Sequence, residues 1–283
     1  MMERESGFFD FWRRFRNNKA AMIGGVILIV YILIALLAPL ISPYDPHQES
    51  LADRIKPPSA KHWLGTDELG RDVLSRILYG ARIALFIQIL SIFLALIAGV
   101  FLGALGGFYG GLIDRCVTGF MDILMAFPSI FLAIIVIAII GPGITNVIFA
   151  GAIYSIPQFA LITRASFLSI REKEFMEAAR AAGEKDLALI FLYSLPNTFA
   201  PLIVQTTLRF ATILLTVAGL SYLGLGVQPP TPDWGAMLSM GRVYILTAPH
   251  VATFPGLAIM FVVLGFNLLG DGLRDSLDPR LKV

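Results

Sequence analysis

The chain has 283 residues, of which 57% are hydrophobic and only 15% charged, where soluble domains carry about 25% charged residues. A water-facing surface needs charge, so this composition excludes an ordinary soluble globule and gives most of the surface to lipid or to partner helices. A net charge of +2, with no basic run interleaved with aromatics beyond the N-terminal segment, excludes nucleic acid as a partner, and the single cysteine, Cys116, excludes an internal disulfide, a CxxC pair and a cysteine-rich metal site.

Residues 1–19 form a basic N-terminal segment with Arg13, Arg14, Arg16 and Lys19. The uncharged run 20–41 that follows is of spanning length and exceeds a signal-peptide core of roughly 7 to 15 residues, so it reads as a first membrane helix rather than a cleaved leader. Residues 42–82 are an external segment. It begins with the turn formers Pro43, Asp45 and Pro46, carries Pro57-Pro58 and "GTDELG", and balances six acids against six bases. Within it Val73, Leu74, Ile77 and Leu78 recur at helical spacing opposite Arg71, Asp72, Ser75 and Arg76, the pattern of an amphipathic helix lying on the membrane surface. On its residues alone it reads as an elbow that anchors the next span.

A second span is expected at 83–106, with Gly99, Gly103 and Gly107 spaced by fours, as close helix contact in lipid requires. The apolar window from Ile123 to Thr163 is too long for one straight helix at 1.5 Å per residue. Its "GPGITN" turn at 141–146 splits it into spans at 116–140 and 144–164. In the first of these Pro128 predicts a kink. Asp122 is an ionisable group within a span, facing either a polar pathway or a polar neighbour at the membrane boundary. Arg209 raises the same two alternatives in span 197–222, and an Asp122 to Arg209 pair is conceivable. The proline-rich stretch from Gly226 to Arg242 reads as an external loop with Trp234 as a membrane-interface anchor, placed to help close an outer gate. A last span covers 250–270, with Asn267 and Asp271 as polar groups at its end, and 273–283 is a tail. Lys and Arg favour the segments on the N-terminal side of the membrane by about two to one, which puts both termini in the cytoplasm. His47, His62 and His250 are scattered, so no metal centre is expected.

The stretch "EAARAAGEKDLALIFLYSLPN", residues 177–197, lies in the cytoplasmic loop 165–196. Ala178, Ala179, Ala181 and Ala182 are strong helix formers of little bulk, and Gly183 after them is a natural helix end. A short helix, a turn and a second helix running into the membrane follow, with Pro196 in a first turn or at a kink. Residues alone leave two readings open, a grip for a partner and a plain connector. No GxxxxGK[ST] occurs, so ATP is not expected to bind this chain.

Glu177-Ala178-Ala179, three residues, Gly183, then Leu195-Pro196 resembles the EAA loop of ABC importer permeases, with Tyr193 where that pattern has isoleucine. The segments "HWLGTDELGRDVLSRILYGAR", "DILMAFPSIFLAI", "LSYLGLGVQPPTPDWGAMLSMGR" and "FPGLAIMFVVLGFNLLGDGLRDSLDPRL" extend the resemblance over essentially the whole chain to the C-type membrane subunit of the dipeptide, oligopeptide and nickel importers. The resemblance implies an all-α membrane protein with about six spans and the type I ABC importer fold, residues 83–272 forming the permease core. It implies a bacterial or archaeal plasma membrane and a coupling role for Glu177, Ala178, Ala179, Gly183, Leu195 and Pro196. The implied partners are a homologous permease in a heterodimer, two cytoplasmic ATPases that carry ATP and Mg, an extracytoplasmic solute-binding protein and membrane lipid. Cargo would be a di- or oligopeptide, a nickel complex or another small solute. Asp122, Pro128, Arg209 and Trp234 are candidates for pathway or gate. A stand-alone transporter would need an inverted repeat or paired intramembrane charges, and a membrane enzyme a cluster of reactive groups at one depth; neither pattern is visible.

Overall fold

The computed structural model describes residues 12–277. The described residues are almost wholly helical: α1 Lys19–Ile41, α2 Val73–Tyr109, α3 Gly111–Met125, α4 Ser129–Ile140, α5 Ile144–Arg171, α6 Glu174–Ala181, α7 Asp186–Tyr222, α8 Trp234–Gly241 and α9 His250–Leu277. The only β pairing among them is the isolated bridge between Thr66 and Asp72. Helices α1, α2, α5, α7 and α9 are each long and apolar enough to cross a membrane, and α3 with α4 together satisfy the same test. Residues 1–11 of the basic N-terminal segment and 278–283 of the C-terminal tail lie outside the described residues.

Three expected boundaries change. The amphipathic helix and the second span are one 37-residue helix, α2, so the segment before it runs into the span without an elbow. Its Arg71, Asp72, Ser75 and Arg76 side is not the solvated face: these residues are 0–3% exposed, because residues 42–70 fold over them. The span expected at 116–140 is not a kinked helix. It is broken at Ala126-Phe127-Pro128, where α3 and α4 meet at 91°. Pro128 supplies no N–H and disfavours helical geometry at Phe127, so the chain turns there. The span expected at 197–222 begins eleven residues earlier, at Asp186. The stretch from Leu189 to Ser194 is wound as a π-helix, which leads the chain to Pro196 and its missing donor without ending the helix.

Helix seams follow the small residues. A Cβ on Gly99 would stand 2.5 Å from Phe159 Cβ, one on Gly107 would stand 2.7 Å from Phe167 Cβ, and one on Gly103 would strike the Ala160 carbonyl. The glycine row of α2 therefore packs within this chain, against α5, as lipid-embedded helices without a hydrophobic drive between them require. Gly24 of α1 meets α9 in the same way, at Gly265 and Leu269. The opposite face of α1 is open, with Ile29, Leu36 and Leu40 exposed. At mid-depth Tyr31 of α1 donates to Gln88 Oε1 of α2 at 2.7 Å, and Gln88 Nε2 donates to the Phe210 carbonyl of α7 at 2.9 Å. One amide thus ties three helices.

The two ends of the bundle differ. Residues 42–72 and 223–249, with α8, cap one end; the α2–α3 turn and α6 stand at the other.

Candidate functional site

Helix α6 occupies eight residues. Glu174 and Glu177 lie in its first turn and Arg180 in its last, each charge matched to the helix dipole. It stops where expected. Gly183 has φ +82°, its N–H donates to the Arg180 carbonyl at 3.0 Å and the Glu184 N–H reaches back to the Ala179 carbonyl at 3.2 Å. That is the double closure of a Schellman turn, which a residue with a Cβ makes at a cost.

The helix has a seat and a free face. Met176 and Ala179 are buried against Ala104 and Phe108 of α2, Phe167 and Ile170 of α5, and Leu189 and Ile190 of α7, with Tyr193 and Leu195 packed on the same cluster. Tyr193, at the position where the family pattern has isoleucine, fills this apolar role. Glu177, Ala178, Arg180, Ala181, Ala182 and Gly183 are exposed, and Phe175 is 43% exposed beside them. No atom lies within 4 Å of where a Gly183 Cβ would stand. The motif therefore divides by role: Ala179 and Leu195 hold the helix against the bundle, while Glu177 and Ala178 face outward. Pro196 is exposed in the first turn of the α-helical part of α7, after the π-helix, where Ser194 Oγ donates to the Leu189 carbonyl at 3.0 Å and satisfies an acceptor left by the irregular turn.

The seat is braced by an ion pair that sequence reading missed. The Arg164 guanidinium of α5 grips Asp114 of α3 through both carboxylate oxygens, the Nη2 contact at 2.6 Å, and Thr118 Oγ1 donates to the same carboxylate at 3.3 Å. Fifty positions separate the partners, so no local spacing could announce the pair. It fastens α3 to the helix that feeds α6.

The pathway candidates are dispersed. Asp122 is exposed near the end of α3, and its field reaches Arg164 rather than Arg209; the conceivable Asp122 to Arg209 pair is absent among the described ion pairs. Pro128 caps the start of α4 at the break. Arg209 is half-buried within α7. Trp234 is not an interface anchor. It is 3% exposed, donates its Nε1–H to the Ile77 carbonyl at 3.0 Å and leaves room for nothing larger than glycine at Gly80. The loop expected around it contains α8, capped by Asp233, whose carboxylate accepts from the Ala236 N–H at 2.9 Å. An aspartate three residues before Ala236, Met237 and Leu238 was the available signal. Asn267 and Asp271 are exposed on α9.

The opposite cap is electrostatic. Asp67 accepts from Arg71 Nε at 2.7 Å and lies 3.4 Å from Arg76 Nε, with all three side chains at most 5% exposed. Arg76 also donates to the Pro46 carbonyl at 3.1 Å, and His62 Nδ1 sits 2.9 Å from Asp72. Outside this core, Lys56 and Lys61 hold the Asp53 carboxyl below its usual range, while burial and then the Asp67 charge raise that of Glu68. Burial raises the Asp233 carboxyl, opposed by its bond from Ala236. Among the described residues no group of three or more His, Cys, Asp or Glu is placed to hold a metal.

Comparison with known proteins places this arrangement. Residues 95–283 match the family described as binding-protein-dependent transport system inner membrane component, and residues 7–58 match the N-terminal transmembrane domain of oligopeptide transport permease C. The dipeptide transport system permease protein DppC of Alkalihalophilus pseudofirmus is 47% identical, over 96% of this chain and 89% of its own length. The glutathione transport system permease protein GsiD of Pectobacterium atrosepticum is 46% identical, over 96% and 91%. Among solved structures, the inward-facing MetNI methionine ABC transporter superposes with a TM-score of 0.58 at 19% identity, over 72% of this chain and 98% of the matched one. That likeness concerns the fold alone.

Proposed function

This chain belongs to the family of binding-protein-dependent transport system inner membrane components, and from that premise we propose how it works as the permease subunit of a peptide-importing ABC transporter. It is a transport subunit and not an enzyme. Peptide cargo is supported by the dipeptide and glutathione permeases among its relatives. In our reading the chain lies in a bacterial or archaeal plasma membrane with the α6 end in the cytoplasm, pairs with a homologous permease, and receives cargo from an extracytoplasmic binding protein at the opposite cap. ATP and Mg belong to two cytoplasmic ATPase subunits.

The observation that carries the proposal is the divided α6: a helix with an apolar seat on one side and a small-residue face on the other. Ala178, Ala181 and Ala182 let a cleft in an ATPase close around the helix, with Phe175 as an apolar anchor and Glu177 and Arg180 as its polar rim. Movement transmitted to α6 passes to α5 and α7, because Ile170, Leu189 and Ile190 share its seat. Through Arg164 and Asp114 it also reaches α3. Nucleotide acts by population shift: only a difference in docking between the ATPase states can bias the permease.

Proteoliposomes containing the complete importer test this. Ala178→Asp places a charge on the free face, away from the seat, and is expected to reduce ATP-driven peptide uptake at least tenfold while the permease remains folded and inserted. Glu177→Lys is expected to act in the same direction. Unchanged uptake in both variants would make the stretch a connector.

A further inference from the structure

We infer that Arg209 is a carboxylate-reading station on the translocation path, accepting the C-terminal carboxylate of a peptide in transit. The inference rests on the peptide-import reading above and adds to it a ligand group and a residue.

Arg209 lies in the middle of a helix long and apolar enough to span the membrane. It is half-buried, its Nε is buried without a hydrogen-bond partner, and none of the ion pairs among the described residues includes it. The titratable group that faces it is the buried Tyr154 hydroxyl of α5, with the Thr216 and Ser155 hydroxyls alongside. A guanidinium held in such a place without an anion is costly, and such residues in membrane proteins mark ligand pathways. By contrast Arg71, Arg76 and Arg164 all have carboxylate partners.

The position lies in line with an opening. Asn197, Pro201, Gln205, Arg209, Thr212 and Thr216 recur every three or four residues along one side of α7. The first three line a cleft of about 670 Å³ between α5, α7 and α9, together with Arg274. Arg209 stands four residues, about 6 Å, beyond Gln205 on that line. A peptide always carries one terminal carboxylate whatever its side chains. The planar fork of arginine matches a carboxylate at two points, so a single such residue can read a whole class of peptides without reading their sequence.

The test uses the complete importer in proteoliposomes, with the binding protein loaded to matched occupancy with a dipeptide or with its C-terminal amide, and reads uptake per ATP hydrolysed. The wild type is expected to pass the free acid about tenfold more efficiently than the amide, R209Q to pass both at one low efficiency, and R209K to fall between. Equal passage of acid and amide by the wild type overturns the inference and leaves the import reading intact. So does a wild-type ratio retained in R209Q, or a fall in uptake and ATP hydrolysis in step for both peptides, which would assign Arg209 to an acid of the partner permease. If R209Q does not assemble, R209K decides: an unchanged ratio overturns the inference and a reduced one supports it. Import of neither peptide by the wild type overturns the peptide-import reading itself.

Discussion

The two ends of the bundle are fastened by different forces. At the capped end, residues 42–72 are held onto α2 by charges withdrawn from water: Asp67 between Arg71 and Arg76, and Asp72 against His62. At the α6 end the seat is apolar, built from Met176, Ala179, Leu189 and their neighbours, and its brace, Arg164 to Asp114, is partly open to solvent, the side chains 28% and 18% exposed. A buried ion pair holds only at one geometry and is costly when half of it is removed, whereas apolar contact is non-directional and tolerates small sliding. The comparison teaches that one terminus of this bundle is fastened to a single geometry and the other by contacts that tolerate sliding.

The sharpest way to break that contrast is at Asp67. Asp67→Ala leaves two buried guanidinium groups without their shared anion and is expected to destabilise the protein by about 3–5 kcal/mol, read as a large fall in the thermal unfolding midpoint in detergent. A small effect would mean that water enters the cap and that it is no more rigid than the α6 end. Next comes the seam joining the two ends. Gly103→Val drives a branched side chain into the Ala160 carbonyl and should cost about 1–3 kcal/mol through forced separation of α2 from α5, visible in the same melting experiment. Gly119 of α3, at ordinary helical geometry and with nothing within 4 Å of where its Cβ would stand, serves as the control for bulk without collision.

Asp114→Asn should change stability by no more than about 1 kcal/mol, since a partly exposed pair contributes little, yet lower peptide uptake per ATP hydrolysed. A double substitution with Arg164→Gln is expected to be no worse than either single change. Additive losses would show that the two residues act separately and not as one brace.

The smallest effect concerns Asp53, whose carboxyl Lys56 and Lys61 hold below its usual value of 3.8. A depressed folded value means that the unfolded chain binds the proton more readily, so the stabilisation is present above 3.8 and lost as pH falls through the folded value. Unfolding midpoints of the wild type should therefore fall with pH below about 4 more steeply than those of Asp53→Asn, and less so in high salt. Parallel curves would show that the lysines contribute nothing there.

Legibility in the sequence followed the range of the forces involved. Lipid-length apolar runs, the helix end at Gly183 and the glycine row of α2 were readable because hydropathy, backbone freedom and side-chain size belong to single residues or close neighbours. The EAA-like motif was readable as a pattern, but not its division into a seated side and a free side. That division depends on Phe108, Phe167 and Leu189 arriving from three other helices.

Sequence by itself thus determined that this protein spans a membrane, roughly where its helices run, and to which family it is similar. Only the tertiary structure decided that Asp67, Arg71, Asp72 and Arg76 are buried, that Trp234 is a core residue, that α3 and α4 break at 91°, and that Arg164 finds Asp114 while Arg209 finds no acid among the described residues. The reason is physical. Burial of a polar group depends on what covers it, and the covering segment comes from a distant part of the chain that local composition cannot name.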